Sequence, residues 1–308
     1  MGTPYFARVI LEKLAVCENA HVTAVICLSD KTAGRGQEIQ ACPVKEWAEK
    51  KNIPVCFPHR LDDEFYQTFV SLNPEIVIVA AYGKIVPQKY LDFPKLGFWN
   101  IHASLLPKYR GASPIAHAIL NGEKETGISL MKMEIGLDTG PTIAIETIPL
   151  SLDDTREVLT QKLAGLGSDM IYRWFSKIVL KDYQLSPQDN EKSSYAPKLK
   201  KEDGNINWNQ SADSVIRQIH AFTPWPTAFT YFKQKRVIIE NITLDENIHH
   251  KESGSFVRIG KNGFSIACGD NTAVKIVSLK VEGKKSMSGG QFVTGYRISE
   301  NDSFQLSA

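Results

Sequence analysis

A nearly continuous apolar segment at residues 75–81 (EIVIVAA) constrains the fold of this chain more than any other feature of its sequence. A strand that is apolar on both faces has to be covered on both faces, as happens in parallel sheets flanked by helices. Apolar strand patterns and amphipathic helix patterns alternate around this segment as far as residue 180. This alternation predicts an α/β domain with a doubly wound, mostly parallel sheet.

The second half of the chain has a different pattern. Residues 186–205 are polar and include two prolines and Gly204, which is typical of a linker. Beyond Pro226, short strand patterns follow one another closely, as they do in a small β-barrel. We therefore expect an α/β domain at residues 1–185, a linker at 186–205 and a C-terminal β-barrel domain at 206–308.

Composition excludes several classes of protein. The 308 residues suit two domains, and the net charge of +2 does not indicate a protein that binds nucleic acid through bulk charge. The five cysteines form no CxxC pair and are odd in number, so we expect reduced thiols rather than a disulfide framework or a zinc site. With no long apolar run and no signal segment, the expected location is the cytoplasm, without membrane association.

Asn100-Ile101-His102, near the end of a predicted strand, is the first candidate for chemistry. The strand period of two places Asn100 and His102 on one face. An amide can donate to an oxyanion, and an imidazole can titrate near neutral pH; acyl transfer needs both functions. Asp138, in a glycine-flanked loop, is the candidate third group. From spacing alone a structural role for all three remains open, since an Asp between glycines is commonly a turn residue.

The residues around these three resemble a known signature. Residues 100–115 (NIHASLLPKYRGASPI) and the loop GLDTG at 136–140 are similar to the motifs of the 10-formyltetrahydrofolate-dependent formyltransferases. The resemblance implies a Rossmann-like formyltransferase fold followed by an OB-like barrel. It also implies attack of an amine on the formyl carbon of 10-formyltetrahydrofolate, with neither a covalent enzyme intermediate nor a metal. The family's catalytic residues correspond to Asn100, His102 and Asp138, and its folate contacts to Ser104, Leu105, Leu106 and Pro107.

The formyl acceptor has to be inferred from other segments. Five of them, at residues 2–7, 30–45, 195–208, 217–230 and 283–287, resemble the branch of the family that formylates the methionyl initiator tRNA. In that branch an arginine of the first inserted loop recognises the tRNA acceptor end, and it corresponds to Arg35. We expect further contacts with tRNA phosphates from the lysines of this loop and of the linker, because such contacts fix a protein on nucleic acid. These lysines are Lys31, Lys198, Lys200 and Lys201.

Three other functions share part of this pattern. A formyltransferase acting on a sugar-nucleotide or another small amine would have the same catalytic residues without needing the Arg35 loop. A formyltetrahydrofolate hydrolase would use water in place of the amine. A non-catalytic RNA-binding protein would use the C-terminal barrel alone. Trp208, Trp225 and Phe222 can in principle stack on bases, but we expect them to pack in the core.

The start of the sequence departs from the family pattern. Family members have a short apolar strand before the segment that corresponds to Gly2-Thr3-Pro4, whereas here Met1 directly precedes it. That strand would be a central member of the sheet. We therefore expect unpaired backbone groups and apolar surface at its position, and a higher melting temperature for a chain extended by apolar residues.

Overall fold

The computed structural model describes residues 1–33, 38–40, 42–247, 249–261 and 263–305, with the backbone alone for 31–33 and 38–40. The chain forms two compact units, each built from three separate segments of the sequence. The first contains residues 1–114, 125–149 and 159–197. The second contains residues 115–124, 150–158 and 198–308. Within the described residues, no helix is long and apolar enough to cross a membrane.

Helices and strands alternate through the first two thirds of the chain. The helices are α1 (Tyr5–Leu14), α2 (Pro43–Lys50), α3 (Asp63–Ser71), α4 (Gln88–Leu91), α5 (Pro114–Leu120) and α6 (Arg156–Val179). The strands are β1 (Val25–Ile26), β2 (Lys31–Ala33), β3 (Glu38–Gln40), β4 (Val55–Cys56), β5 (Val77–Val79), β6 (Phe98–His102), β7 (Arg110–Gly111), β8 (Glu125–Lys132), β9 (Thr142–Pro149) and β10 (Tyr195–Ala196).

The predicted α/β class is confirmed, and the sheet is mixed. Strands β1 and β4 pair in parallel, while β5, β6, β8 and β9 form a four-stranded sheet in that order. Strand β5 is parallel to β6, but β8 is antiparallel to both of its neighbours. The antiparallel pairing of β8 with β9 follows from the short loop between them, since a parallel pair needs a long crossover. That loop, residues 133–141, carries Asp138.

Met1 and Gly2 bridge the two parts of this sheet. The Gly2 amide donates to the Ile26 carbonyl at 3.0 Å, and the Met1 carbonyl accepts from the Ala80 amide at 2.9 Å. The Met1 amino group donates to the Ile78 carbonyl at 2.6 Å. Toward the amino ends of β1 and β5 the space between them is a cavity of about 410 Å³, lined by residues 19–26 and 72–78 together with α1. A cavity therefore lies between β1 and β5, and the first two residues close one end of it.

The part of the second unit beyond residue 198 is an antiparallel β domain, which confirms the predicted C-terminal β domain. Its described elements are α7 (Ala212–Phe222), β11 (Ala228–Phe232), β12 (Lys235–Asp245), β13 (Phe256–Gly260), β14 (Gly263–Ala267), β15 (Ala273–Val281), β16 (Met287–Ser288) and α8 (Gly289–Tyr296). Strands β11, β12, β15, β14 and β13 are hydrogen-bonded in that order, and β16 pairs with β15.

The aromatic residues of the second unit serve mainly as core. Trp208 and Phe222 are buried, and Trp208 stacks on Phe304 while its indole N–H donates to Thr230 Oγ1 at 3.1 Å. Trp225 differs, since 47% of it is exposed. The expected core role therefore holds for two of the three candidate aromatic residues, and Trp225 keeps a surface on which another group can stack.

Candidate active site

Asn100 and His102 lie on strand β6, which is held between β5 and β8. All five residues of β6 are buried, and Asn100 and His102 are 8% and 6% exposed. A strand paired on both sides has little freedom to move, so their side chains project from a rigid base. This position suits groups that have to be oriented before a reaction.

Asp138 reaches both of these side chains from the loop between β8 and β9. Its Oδ1 accepts a hydrogen bond from Asn100 Nδ2 at 3.2 Å, and its Oδ2 lies 3.7 Å from His102 Nδ1. Oδ2 also accepts from the backbone amide of Gly111 at 2.8 Å. One carboxylate therefore joins the amide, the imidazole and strand β7.

The hydrogen bonds of His102 define one of its ring protons. Its Nε2 lies 2.9 Å from the carbonyl oxygen of Tyr109, and a carbonyl can only accept, so Nε2 carries a hydrogen. The other ring nitrogen, Nδ1, faces the Asp138 carboxylate. The carboxylate of Asp138 and the carbonyl of Tyr109 therefore fix the orientation of the imidazole ring from opposite nitrogens.

The segment predicted to contact folate forms a tight turn after β6. Ser104 and Leu106 are buried, and the Ser104 hydroxyl donates to the Lys108 carbonyl at 2.7 Å. Leu105 and Pro107 remain partly exposed. The buried members of this segment thus shape the turn, and Leu105 and Pro107 offer apolar surface to a ligand.

The residues predicted to bind tRNA are distributed over several segments. Lys198, Lys200 and Lys201 are exposed, and Leu199 between them is buried, so that it anchors a segment whose charges face solvent. Arg35 lies outside the described residues, as does the side chain of Lys31.

Sequence reasoning missed a residue that supports the site. The amide of Gln188 donates to the carbonyls of Asp138 and Gly140, and it accepts from the guanidinium of Arg110. Arg110 belongs to the recognised motif, but Gln188 stands in the segment read as a linker. Its contacts join positions about 50 to 80 apart in the chain, and no local pattern marks such a pairing.

Cysteine and acidic residues do not suggest another site. The five cysteines are free thiols, four of them buried. Among the residues described, no group of three or more His, Cys, Asp or Glu side chains is arranged to hold a metal ion.

Two family matches cover most of the chain. Residues 1–174 match the formyl transferase family, and residues 198–297 match the formyl transferase C-terminal domain. The chain is 44% identical to the methionyl-tRNA formyltransferase of Dictyoglomus turgidum, over 99% of this chain and 98% of that protein. It is 42% identical to the methionyl-tRNA formyltransferase of Acetivibrio thermocellus, over 98% of this chain and 97% of that protein.

A solved structure has the same fold. It is an N-formyltransferase from Helicobacter canadensis in complex with folinic acid and dTDP-3-aminofucose, with a TM-score of 0.68 and 22% identity over 89% of this chain and 96% of that chain. At this identity the likeness concerns the fold alone. The two matched domains and the relatives aligned over nearly their whole length establish that the chain belongs to the formyl transferase family, in the branch of the methionyl-tRNA formyltransferases.

Proposed function

We propose that this protein transfers the formyl group of 10-formyltetrahydrofolate to the α-amino group of methionyl initiator tRNA. The amine nitrogen bonds to the formyl carbon, the bond from that carbon to N10 of the folate breaks, and one amine proton ends on N10. Tetrahydrofolate and formylmethionyl-tRNA are the products. The observation that carries the proposal is the Asp138 carboxylate joined to both Asn100 and His102 on one face of β6.

Each of the three side chains has a distinct role in this reaction. The Asn100 amide has two hydrogens, and since one is directed at Asp138 the other can serve the oxyanion that forms on the formyl oxygen. Both ring nitrogens of His102 face acceptors, so the imidazole acts through its positive charge. The carboxylate of Asp138 faces Nδ1 and holds that charge in place, and we propose that it also takes up the proton that leaves the amine.

The donor follows from the family and from the turn at residues 104–107. The Helicobacter canadensis protein was solved with folinic acid, itself a folate, which supports a folate donor in this fold. In our proposal the exposed edges of Leu105 and Pro107 pack on the donor, while Ser104 and Leu106 keep the turn in shape. An apolar surface beside a few polar groups is the usual composition of a small-molecule site.

The choice of a tRNA acceptor depends on residues outside the catalytic group. The two relatives described above, 44% and 42% identical to this chain, are methionyl-tRNA formyltransferases and align over nearly their whole length. This similarity favours a tRNA acceptor over an amino sugar. Three exposed lysines lie within four positions, at 198, 200 and 201. We propose that they contact tRNA phosphates, together with Lys31 and Arg35 of the inserted loop, and that the C-terminal domain at 206–308 binds the tRNA.

An acceptor assay tests the proposal. Purified protein and 10-formyltetrahydrofolate are incubated with methionyl initiator tRNA, with an amino-sugar nucleotide, or without acceptor, and released tetrahydrofolate and formylated product are measured. We expect formylmethionyl-tRNA and little release without acceptor. Formylation of the sugar would instead identify a small-amine enzyme, and release without acceptor a hydrolase.

Arg35 provides a second test, which concerns the acceptor alone. We expect Arg35→Ala to raise KM for the tRNA without weakening the binding of folate, because this side chain is proposed to touch only the acceptor. Parallel loss of folate binding would show that the substitution damages the fold and would remove the argument for acceptor recognition.

A further inference from the structure

The side chain of Gln188 connects a buried arginine to the loop that carries Asp138. Its Nε2 donates to the Asp138 carbonyl at 2.9 Å and to the Gly140 carbonyl at 2.7 Å. Its Oε1 accepts from Arg110 Nε at 3.1 Å and from Arg110 Nη2 at 2.9 Å. All four hydrogen bonds of this side chain join parts of the first unit that are far apart in sequence.

Only a primary amide satisfies both sides of this arrangement. The two loop carbonyls need donors, and the guanidinium needs an acceptor. Arg110 is 2% exposed, and its Nη2 also donates to Asn190 Oδ1 at 2.8 Å, so the guanidinium is held in one orientation. The arginine therefore fixes which end of the Gln188 amide faces the loop.

The loop needs such support at Asp138. The backbone of Asp138 has a φ of +53°, in the left-handed region, which is unfavourable for a residue with a Cβ and persists where surrounding contacts hold it. Gln188 donates hydrogen bonds to the carbonyl of Asp138 itself and to the carbonyl of Gly140. The side-chain carboxylate of the same residue contacts His102, Asn100 and the backbone amide of Gly111.

We propose that Gln188 is a positioning residue, which holds the Asp138 loop so that the carboxylate stays in register with His102. Gln188 touches none of the reacting atoms and acts through Asp138. This inference rests on the proposed function, in which Asp138 supports the charge on His102. Arg110 keeps the Gln188 amide oriented through its two hydrogen bonds to Oε1.

Two replacements of equal length separate positioning of the loop from simple pairing with Arg110. Gln188→Glu keeps an acceptor for Arg110 and adds an ion pair, but it has no hydrogen to give to the two carbonyls. Gln188→Met has neither function. If Gln188 positions Asp138, both variants lose kcat; if it only accepts hydrogen bonds from Arg110, the glutamate variant keeps its kcat.

The experiment measures kcat, KM for both substrates and the melting temperature of Gln188→Glu and Gln188→Met. Gln184→Met, at an exposed glutamine four positions earlier in the chain, is the control. We expect kcat to fall by about 10- to 100-fold in both variants, as misplacement of a catalytic group by about 1 Å does, with KM changed by less than about twofold. The glutamate variant should melt close to the unmodified protein, and the control should behave like it in every respect.

A second measurement, independent of turnover, follows the backbone amide of Gly111 by NMR. This amide donates to the Asp138 carboxylate, so a displaced loop shifts its resonance and speeds its hydrogen exchange. An unmoved Gly111 amide in both variants, or full kcat in Gln188→Glu, would overturn the inference. If the unmodified protein formylates no acceptor at all, the proposed function fails, and the Gly111 amide still decides whether Gln188 positions the loop.

Discussion

The backbone amide of Gly111 donates a 2.8 Å hydrogen bond to the carboxylate of Asp138. Gly111 has a φ of +117°, and a Cβ built on it would lie 2.8 Å from the carbonyl oxygen of Ala196. The residue is therefore glycine for two reasons, its backbone conformation and the close approach of strand β10. The hydrogen bond that orients Asp138 depends on both.

Gly111→Ala should weaken the protein and its activity together. The added Cβ forces β7 away from β10. It also strains the backbone, because a positive φ costs about 1–3 kcal/mol in a residue with a Cβ. We expect a lower melting temperature and a lower kcat. Gly165→Ala is the matched control, because a Cβ there meets no atom within 4 Å and lies in helix α6. A stable and fully active Gly111→Ala would contradict this account of β7.

Asn100→Ala, His102→Ala and Asp138→Ala should each lose most of kcat while remaining folded. Removal of one oxyanion donor typically lowers the rate by about 10²–10³-fold, or roughly 3 kcal/mol of transition-state stabilisation. Single-turnover formyl transfer measures the loss, and circular dichroism and melting temperature check the fold. Near-normal turnover in all three variants would remove the catalytic assignment.

The sequence predicts the two residues of β6 better than it predicts their surroundings. The common face of Asn100 and His102 follows from the strand period, which is local. The approach of Asp138 depends on strand pairing across the sheet. Its glycine-flanked loop made it a candidate, but only the resemblance to a family favoured a catalytic role over that of a turn residue. Gln188 was missed because hydrogen bonds over a separation of 50 residues have no local signature.

Two elements of the fold were also difficult to predict. Helix α8 has eight residues and three glycines, which lower its propensity, and it depends on a capping box between Ser288 and Gln291. The antiparallel edge of the sheet arises because β8 and β9 are joined by a short loop, whereas their apolar residues resemble those of the parallel strands. Composition thus gives the wrong indication in both cases, because a local cap decides the helix and connectivity decides the strand direction.

The lysines at 198, 200 and 201 should contribute charge to tRNA binding and little to stability. All three are exposed, so replacing them with glutamine leaves the core intact. We expect weaker tRNA binding and a slope of log K against log salt that is less steep by up to about 2–3, since each phosphate contact contributes roughly 0.7–0.9. A triple variant of the exposed lysines 50, 51 and 181 is the control for general charge. Equal effects of the two triple variants would argue against a specific contact.

An apolar extension before Met1 should raise the melting temperature. The cavity of about 410 Å³ lies beside the amino ends of β1 and β5, where a chain that continues backward from Met1 would run parallel to both. About five residues of valine and isoleucine would span positions 74–78 at ~3.3 Å per residue. We expect a rise of roughly 5 °C in differential scanning calorimetry. A glycine-serine extension of equal length should give no such rise, and an equal rise from both would show that the cavity is not filled by a strand.

The amino group of Met1 should make the stability of a chain that begins at this residue depend on pH. Burial away from water lowers its pKa from 8.0 to about 5, so between these values the unfolded chain binds a proton that the folded chain does not. Stability then rises as pH increases from about 5 to about 8, and the penalty below pH 5 is on the order of 4 kcal/mol, since each pKa unit corresponds to about 1.4 kcal/mol.

Chemical denaturation at several pH values measures this slope, and a chain with an acetylated amino group is the matched comparison because it has no charge to lose. All other ionisable groups are common to both chains, so their contributions cancel in the difference. The valine and isoleucine extension should reduce the slope as well, because it moves the ammonium group away from Ile78. If the acetylated and unmodified chains have the same slope from pH 5 to 8, the buried amine does not control the stability of this sheet.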